Sequence, residues 1–178
     1  RIGVMHAKNI VLNSKLKLKY VYDINQKIAK IYSKKLKCIN LKNPSKAFLD
    51  KSIDIIFISS TTSTHIPLIT KSVKSKKIVF CEKPLDLNIN KVIKCKKYIK
   101  KYKPKIQLGF NRRYDPGHYA LKRSLLSGKI GKLEKIIITS RDPAPPAKSY
   151  LKTSGGIFRD MMIHDFDLCR LYLGKDEI

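Results

Sequence analysis

An α/β fold built on a doubly wound parallel sheet is what this sequence predicts, and three observations predict it. Short apolar stretches alternate with longer stretches of helical period, the pattern of parallel βαβ units. No internal repeat or low-complexity linker interrupts the alternation. It ends between residues 110 and 132, where Gly128 and Gly131 punctuate a turn. At 178 residues the chain holds one domain with a full core, or one domain and part of a second.

Element by element, the chain begins with Arg1-Ile2-Gly3 directly at a helical pattern. Strands are expected at 16–22, 37–39, 53–59, 77–81 and 105–109, where β-branched and aromatic residues cluster. Helices are expected between and after them, near 25–35, 45–50, 64–75, 88–102 and 115–127. A further strand at 133–140 leads into the proline-rich loop 142–146, and a helix is expected to open after Gly155-Gly156. The division that follows is a first domain over residues 1–112 and the start of a second over 113–178.

Composition narrows the class of protein. A hydrophobic content of 43% argues against disorder, and the longest apolar runs are strand-length and broken by charge, so neither a membrane span nor a signal peptide is expected. A cytoplasmic location follows. The four cysteines, at 38, 81, 95 and 169, have no Cys-x-x-Cys spacing and fit reduced, buried thiols better than a disulfide frame or a zinc site. A formal charge of +26 would ordinarily suggest nucleic acid or an anionic membrane as partner. Here 32 lysines stand against seven arginines and are spread through almost every segment, with no nucleic-acid-reading motif. Arginine is what bidentate phosphate and base recognition prefers. The excess, with its 24 isoleucines, therefore reads as codon drift, and no specific nucleic-acid or membrane partner is expected beyond weak, salt-sensitive adhesion.

The chemistry concentrates in the stretch from Gly155 to Asp167. On one continuous helix, Asp160 and His164 lie a turn apart on the same face, where a carboxylate can orient an imidazole that acts as general base. Asp167, seven residues beyond Asp160, shares roughly that face and is a candidate acceptor for a substrate hydroxyl; an exposed helical aspartate equally needs no function. A metal site built from Asp160, His164 and Asp165 lacks a second ligand cluster, so no metal is expected. Lys83 follows an apolar strand and precedes Pro84, which holds it extended at a strand's carboxyl end, where doubly wound sheets place ligands. The Lys83-Pro84 bond is a candidate cis peptide. Asp23 ends the strand at 16–22 and can serve as ribose ligand, as helix N-cap, or as both.

Four segments together resemble the Gfo/Idh/MocA family of NAD(P)-dependent oxidoreductases, most closely its inositol 2-dehydrogenase members. They are Arg1-Ile2-Gly3-Val4-Met5-His6-Ala7-Lys8-Asn9, Cys81-Glu82-Lys83-Pro84-Leu85, Gly109-Phe110-Asn111-Arg112-Arg113-Tyr114-Asp115-Pro116, and the run from Ser140 through Pro146 to Gly155-Gly156-Ile157-Phe158-Arg159-Asp160 and His164-Asp165-Phe166-Asp167. The resemblance implies a Rossmann-like sheet followed by the start of an α+β substrate domain. It implies NAD as cofactor, with Gly3, Asp23, the polar turn Ser59, Ser60 and Thr61, His65 and Glu82 around it. An acidic Asp23 favours NAD over NADP by repelling a 2′-phosphate.

By the same resemblance, Lys83 hydrogen-bonds the reacting hydroxyl, His164 removes its proton and Asp160 holds His164. Arg112 reaches toward substrate or cofactor, and Arg113 is a structural ion-pair partner. The implied reaction is oxidation of a cyclic polyol, myo-inositol at its 2-hydroxyl, by hydride transfer to NAD. The family's first strand and initial glycines are missing before Arg1, as is most of the second-domain sheet that supplies the usual homo-oligomer interface, so both ends read as cut. The alternative expectation is a catalytically inactive, truncated remnant or binding module of the same family.

Overall fold

Three helices start where a side-chain oxygen can take up the first unpaired N–H groups, and these starts set the frame. Asn25 accepts from Ile28, Asn88 from Asn90 and Lys91, and Asp115 from Gly117 and His118, with Pro116 following as the first helical residue. The structure, a computed structural model, describes residues 2–174, so Arg1 of the expected Arg1-Ile2-Gly3 turn lies outside it. Two units are formed, Arg1–Leu108 and Gly109–Ile178. The division falls at 108, ahead of the expected 112.

In the first unit, α1 (Ile2–Leu12) precedes β1 (Tyr20–Val21), α2 (Gln26–Lys35), β2 (Ile39–Asn40) and α3 (Ser45–Leu49). Next come β3 (Ile55–Ile58), α4 (His65–Lys74), β4 (Ile78–Cys81), α5 (Ile89–Ile99) and β5 (Ile106–Leu108). All pairings are parallel. β1 pairs with β2, Tyr20 opposite Ile39, while a separate sheet has the order β3-β4-β5, with Ile56 opposite Val79 and Val79 opposite Ile106. Taken together this is a doubly wound order interrupted between β1 and β3. The five strands expected in this unit are present but shorter, because a ladder extends only as far as its partner does.

The core lies where β3, β4 and β5 meet α4 and α5. Val79 and Cys81 on the central strand are fully buried, and Ile58, Ile69, Val73 and Ile99 close around them. Each such aliphatic side chain contributes about 1.5–3 kcal/mol on burial. Burial, with the adjacent Glu82 charge, also pushes the Cys81 thiol up to about 12, so it is an inert core residue.

A polar node ties β1 to the approach of β3, which no ladder joins. Asp50 accepts from Lys19 Nζ and Tyr20 OH, both at 2.7 Å, and from the Ser52 amide and hydroxyl at 2.9 and 2.8 Å. Lys77 Nζ donates to the carbonyls of Asp50 and Ile53. Lys19 first, then Tyr20 and Ser52, hold the Asp50 carboxyl well below the usual carboxylate range. A depressed folded-state value stabilises fully above the unfolded value near ~3.9 and is lost as pH falls through the folded one. Asp50→Asn is therefore expected to lower the denaturant midpoint at neutral pH and to flatten its decline below about pH 4, measured by urea unfolding across pH.

Helix exits in this unit use lysine where glycine is common. Lys37, Lys76 and Lys103 have φ of 53°, 56° and 47°, the left-handed region that costs a side-chain-bearing residue about 1–2 kcal/mol. Lys76→Gly is expected to raise stability by roughly 1 kcal/mol, the relief of that strain exceeding the added freedom of the unfolded chain; urea denaturation reads it.

The described residues of the second unit form helices and irregular segments. After a 3₁₀ turn at Asn111–Tyr114 come α6 (Pro116–Leu126), α7 (Lys148–Ser154), α8 (Ile157–Asp160) and α9 (Ile163–Leu173). The strand expected at 133–140 does not form: no strand pairs with it among the described residues. The helix expected to open after Gly155-Gly156 is broken. The amides of both Met161 and Met162 turn back to Ile157 O, while His164 N and Asp165 N bond to Met161 O and Met162 O, so the ladder stops and restarts. No described helix is long and apolar enough to cross a membrane.

Candidate active site

In the first unit, the carboxyl ends of the parallel strands gather the residues expected at a cofactor. Gly3, in the first turn of α1, faces the turn after β3: a Cβ there would meet Ser59 Oγ at 2.7 Å and turn that hydroxyl aside. Asp23, just past β1, accepts the Asn25 amide at 2.8 Å in an Asx turn. The N-cap of α2 is Asn25, so the capping alternative for Asp23 is not realised and its carboxylate remains exposed at the strand's end.

After β3 the chain makes the polar turn Ser59-Ser60-Thr61. Ser60 Oγ and Thr64 Oγ1 are 2.5 Å apart, and Thr64 donates to Thr61 O. His65 opens α4 directly beneath. It is 1% exposed, with Nδ1 2.8 Å from Pro84 O and Nε2 3.0 Å from Ser60 O. Both ring nitrogens thus face backbone carbonyls, one in the polar turn and one just after Lys83.

β4 delivers Glu82 and Lys83. Glu82 Oε1 lies 2.5 Å from His6 Nε2, and Glu82 Oε2 accepts the Lys83 amide at 3.3 Å. His6 in turn packs on Phe57 and Phe80, ring centres 5.1 and 5.2 Å away, which stack on each other at 4.1 Å. Helix α1 is thereby tied to the end of β4 through one side-chain pair. A histidine in α1 and a glutamate 76 residues on carry no local signal of pairing, so the sequence gives His6 no partner. The Lys83-Pro84 bond is cis, as expected.

The second unit holds the proton-handling candidates. Asp160 ends α8 and His164 lies in the first turn of α9, so they sit on two helices and not on the single helical face expected. Tyr150 OH donates to Asp160 Oδ1 at 2.7 Å. Burial first, and then Asp160, push the Tyr150 hydroxyl up to about 12. Phe110 meets His164 edge-on, ring centres 6.4 Å apart and planes at 89°.

Two arginines are committed to aspartates of α9. Arg112 Nη1 donates to Asp165 Oδ1 at 2.5 Å and to Ser140 Oγ at 3.1 Å, while Ser140 donates to the same Asp165 oxygen. Arg113 grips Asp167 with two bonds of 2.7 and 2.5 Å. The Asp167 side chain is 8% exposed, and both of its carboxylate oxygens accept from Arg113. The ion-pair role expected for Arg113 is what the geometry shows. Among the described residues no group of three or more His, Cys, Asp or Glu is placed to hold a metal ion.

Residues 1–110 match the profile of the oxidoreductase family with an NAD-binding Rossmann fold, and residues 118–177 match the Gfo/Idh/MocA C-terminal domain. The chain belongs to the Gfo/Idh/MocA family. It is 40% identical over 179 residues to the inositol 2-dehydrogenase of Rhizobium meliloti strain 1021, covering all of this chain and 54% of that protein. The crystal structure of a myo-inositol dehydrogenase from Corynebacterium glutamicum superposes with a TM-score of 0.92 at 43% identity, over 97% of this chain and 52% of that one. A scyllo-inositol dehydrogenase from Lactobacillus casei, solved with NAD(H) and scyllo-inositol bound, matches at TM-score 0.85 and 32% identity, over 99% of this chain and 54% of that one. This Gfo/Idh/MocA chain thus spans about half the length of the relatives it matches.

Proposed function

We propose that this chain carries the NAD-holding and proton-handling residues of a dehydrogenase that oxidises a cyclic polyol, with myo-inositol converted to its 2-keto product. The observation that carries the reading is the collection of Gly3, Asp23, Ser59, Glu82 and Lys83 at the α1 start and the carboxyl ends of β1, β3 and β4, in a chain similar throughout to an inositol 2-dehydrogenase.

The residues fit NAD on their own chemistry. Gly3 lies in the first turn of α1, and the N–H groups and dipole of a helix start attract a phosphate. The exposed Asp23 carboxylate suits ribose hydroxyls and disfavours a 2′-phosphate. NAD, when bound, supplies the hydride acceptor. Lys83 hydrogen-bonds the reacting oxygen and stabilises its developing negative charge. His164 takes the hydroxyl proton as general base, and Asp160 sets the orientation of His164. Arg112, fixed by Asp165 and Ser140, lines the substrate side. We read the +26 charge as compositional and the site of action as the cytoplasm.

The test is NAD binding by calorimetry together with NADH formation from myo-inositol by the 178-residue chain. NAD binding with inositol-dependent NADH formation is the expected result. Binding without turnover would favour an inactive binding module, and a folded chain that binds no NAD would overturn the reading.

A further inference from the structure

Where the ladder between β1 and β2 ends, a side chain takes over its next rung. Leu41 N donates to Val21 O at 2.9 Å, and a parallel ladder carried one step further would bring the Asp23 amide to Leu41 O. The chain turns away instead, and Gln26, the first residue of α2, fills the place. Its Nε2 donates to Leu41 O at 3.2 Å and to Asp23 O at 2.8 Å. Leu41 is buried, so the turn is moored to a fixed point. Asp23 Oδ1 is meanwhile held by the Asn25 amide at 2.8 Å. The carboxylate is thus restrained twice, through its own oxygen and through the backbone that carries it.

The orientation of the amides follows from what their neighbours can accept. Gln26 Nε2 faces two carbonyl oxygens, which only accept, so both of its N–H groups are used and its Oε1 points the other way. There it accepts from Asn40 Nδ2 at 3.2 Å. Asn40 must therefore present nitrogen to Gln26, and its Oδ1 is left buried with no donor among the described residues. Reversing Asn40 would set its oxygen against Gln26 Oε1, and reversing both amides would set Gln26 Oε1 against the two carbonyls. Native chains keep few unmet buried acceptors, and an apolar pair in place of the two amides would remove this one at little loss to the fold. Such a pair could not hold the Asp23 backbone. The unmet oxygen of Asn40 is thus tied to the grip of Gln26 on Asp23 O and Leu41 O.

We infer that Gln26 is a positioning residue for Asp23: its amide, bonded to two carbonyls, fixes the carboxylate at the end of β1 and with it the preference for a free ribose 2′-hydroxyl over a 2′-phosphate. The selectivity rests on the function proposed above for Asp23, since a carboxylate discriminates only where it meets the ribose. Discrimination of this kind needs a charge that stays in place. A carboxylate on a loose turn swings away from a 2′-phosphate and relaxes the repulsion, and it must be ordered before it can accept from the ribose hydroxyls. Gln26 supplies the order without adding a charge of its own.

Calorimetric affinities of the 178-residue chain for NAD and NADP, with ¹H–¹⁵N spectra of the same samples, test this. The unmodified chain is expected to bind NAD more tightly than NADP. Gln26→Met keeps length and helix propensity but has no donor, and it is expected to narrow that preference by about five- to tenfold, the net worth of roughly one hydrogen bond. In Asp23→Asn chains the same change is expected to leave the ratio alone, because a residue that acts through another falls silent once the other is gone. Full preference in Gln26→Met, or an equal loss in both backgrounds, would overturn the positioning role. The unmodified chain decides the matter if the variant does not fold: added NAD is expected to shift the Gln26 side-chain amide signals together with the Asp23 and Asn25 backbone amides, and a Gln26 side chain that stays put while Asp23 moves would overturn the coupling. An unmodified chain that binds neither dinucleotide, or prefers NADP, would instead overturn the function proposed for Asp23, and the selectivity with it.

Discussion

Replacing His164 by glutamine is expected to lower NAD-dependent oxidation of myo-inositol by about 10²–10⁴-fold, the usual worth of a positioned proton-transfer group. The loss should fall on kcat, with NAD affinity measured by calorimetry within about twofold of the unmodified chain, because the residues expected to hold NAD belong to the first unit. Glutamine keeps polarity and approximate size beside Phe110, so the edge-on aromatic contact is largely preserved. What it removes is a group that can take a proton near neutral pH. An unchanged kcat would remove His164 from the chemistry. Asp160, held by Tyr150, should give a smaller loss as Asp160→Asn, since an orienting residue acts through another.

Arg113→Ala is expected to cost about 2–3 kcal/mol of folding stability, roughly a 30–150-fold shift in the unfolding equilibrium. The variant leaves the Asp167 carboxylate, 8% exposed, without either of its two guanidinium bonds. Breaking a fully buried pair typically costs about 3–5 kcal/mol. The Arg113 side chain is 38% exposed and already shares its charge with water, which brings the figure below that range. Urea unfolding should show a lower midpoint at unchanged slope. Pairing the change with Asp167→Leu should recover much of the loss, because the isolated charge and not the missing attraction dominates the cost. A single variant as stable as the unmodified chain would show that Asp167 finds other donors.

Much of the fold was legible because it depends on local pattern. The apolar runs around Ile56, Val79 and Ile106 became strands, and Asn25, Asn88 and Asp115 began helices near where their types and positions suggested. Pairing was not legible. The stretch 133–140 has the isoleucine-rich make-up of a strand, but a strand exists only against a partner, which nothing within the segment can announce. The interruption at Met161-Met162 was equally hidden, since methionine is a good helix former and no glycine or proline marks the break. In the candidate site, Lys83 and Glu82 could be placed from the strand that precedes them. The links of Glu82 to His6, Arg112 to Asp165 and Arg113 to Asp167 span 53 to 76 residues. Their residue types are visible in the sequence, but which acid meets which base is decided by the folded chain.

The lysine excess also bears on how copies of this chain behave in concentrated solution. Chains bearing +26 charges repel one another, an effect felt over about 10 Å at 0.1 M salt but only about 3 Å at 1 M. Lysines spread through almost every segment thus keep neighbouring copies apart without belonging to any one site. Salt, which quietens so many charged proteins, is expected to bring copies of this one within reach of each other.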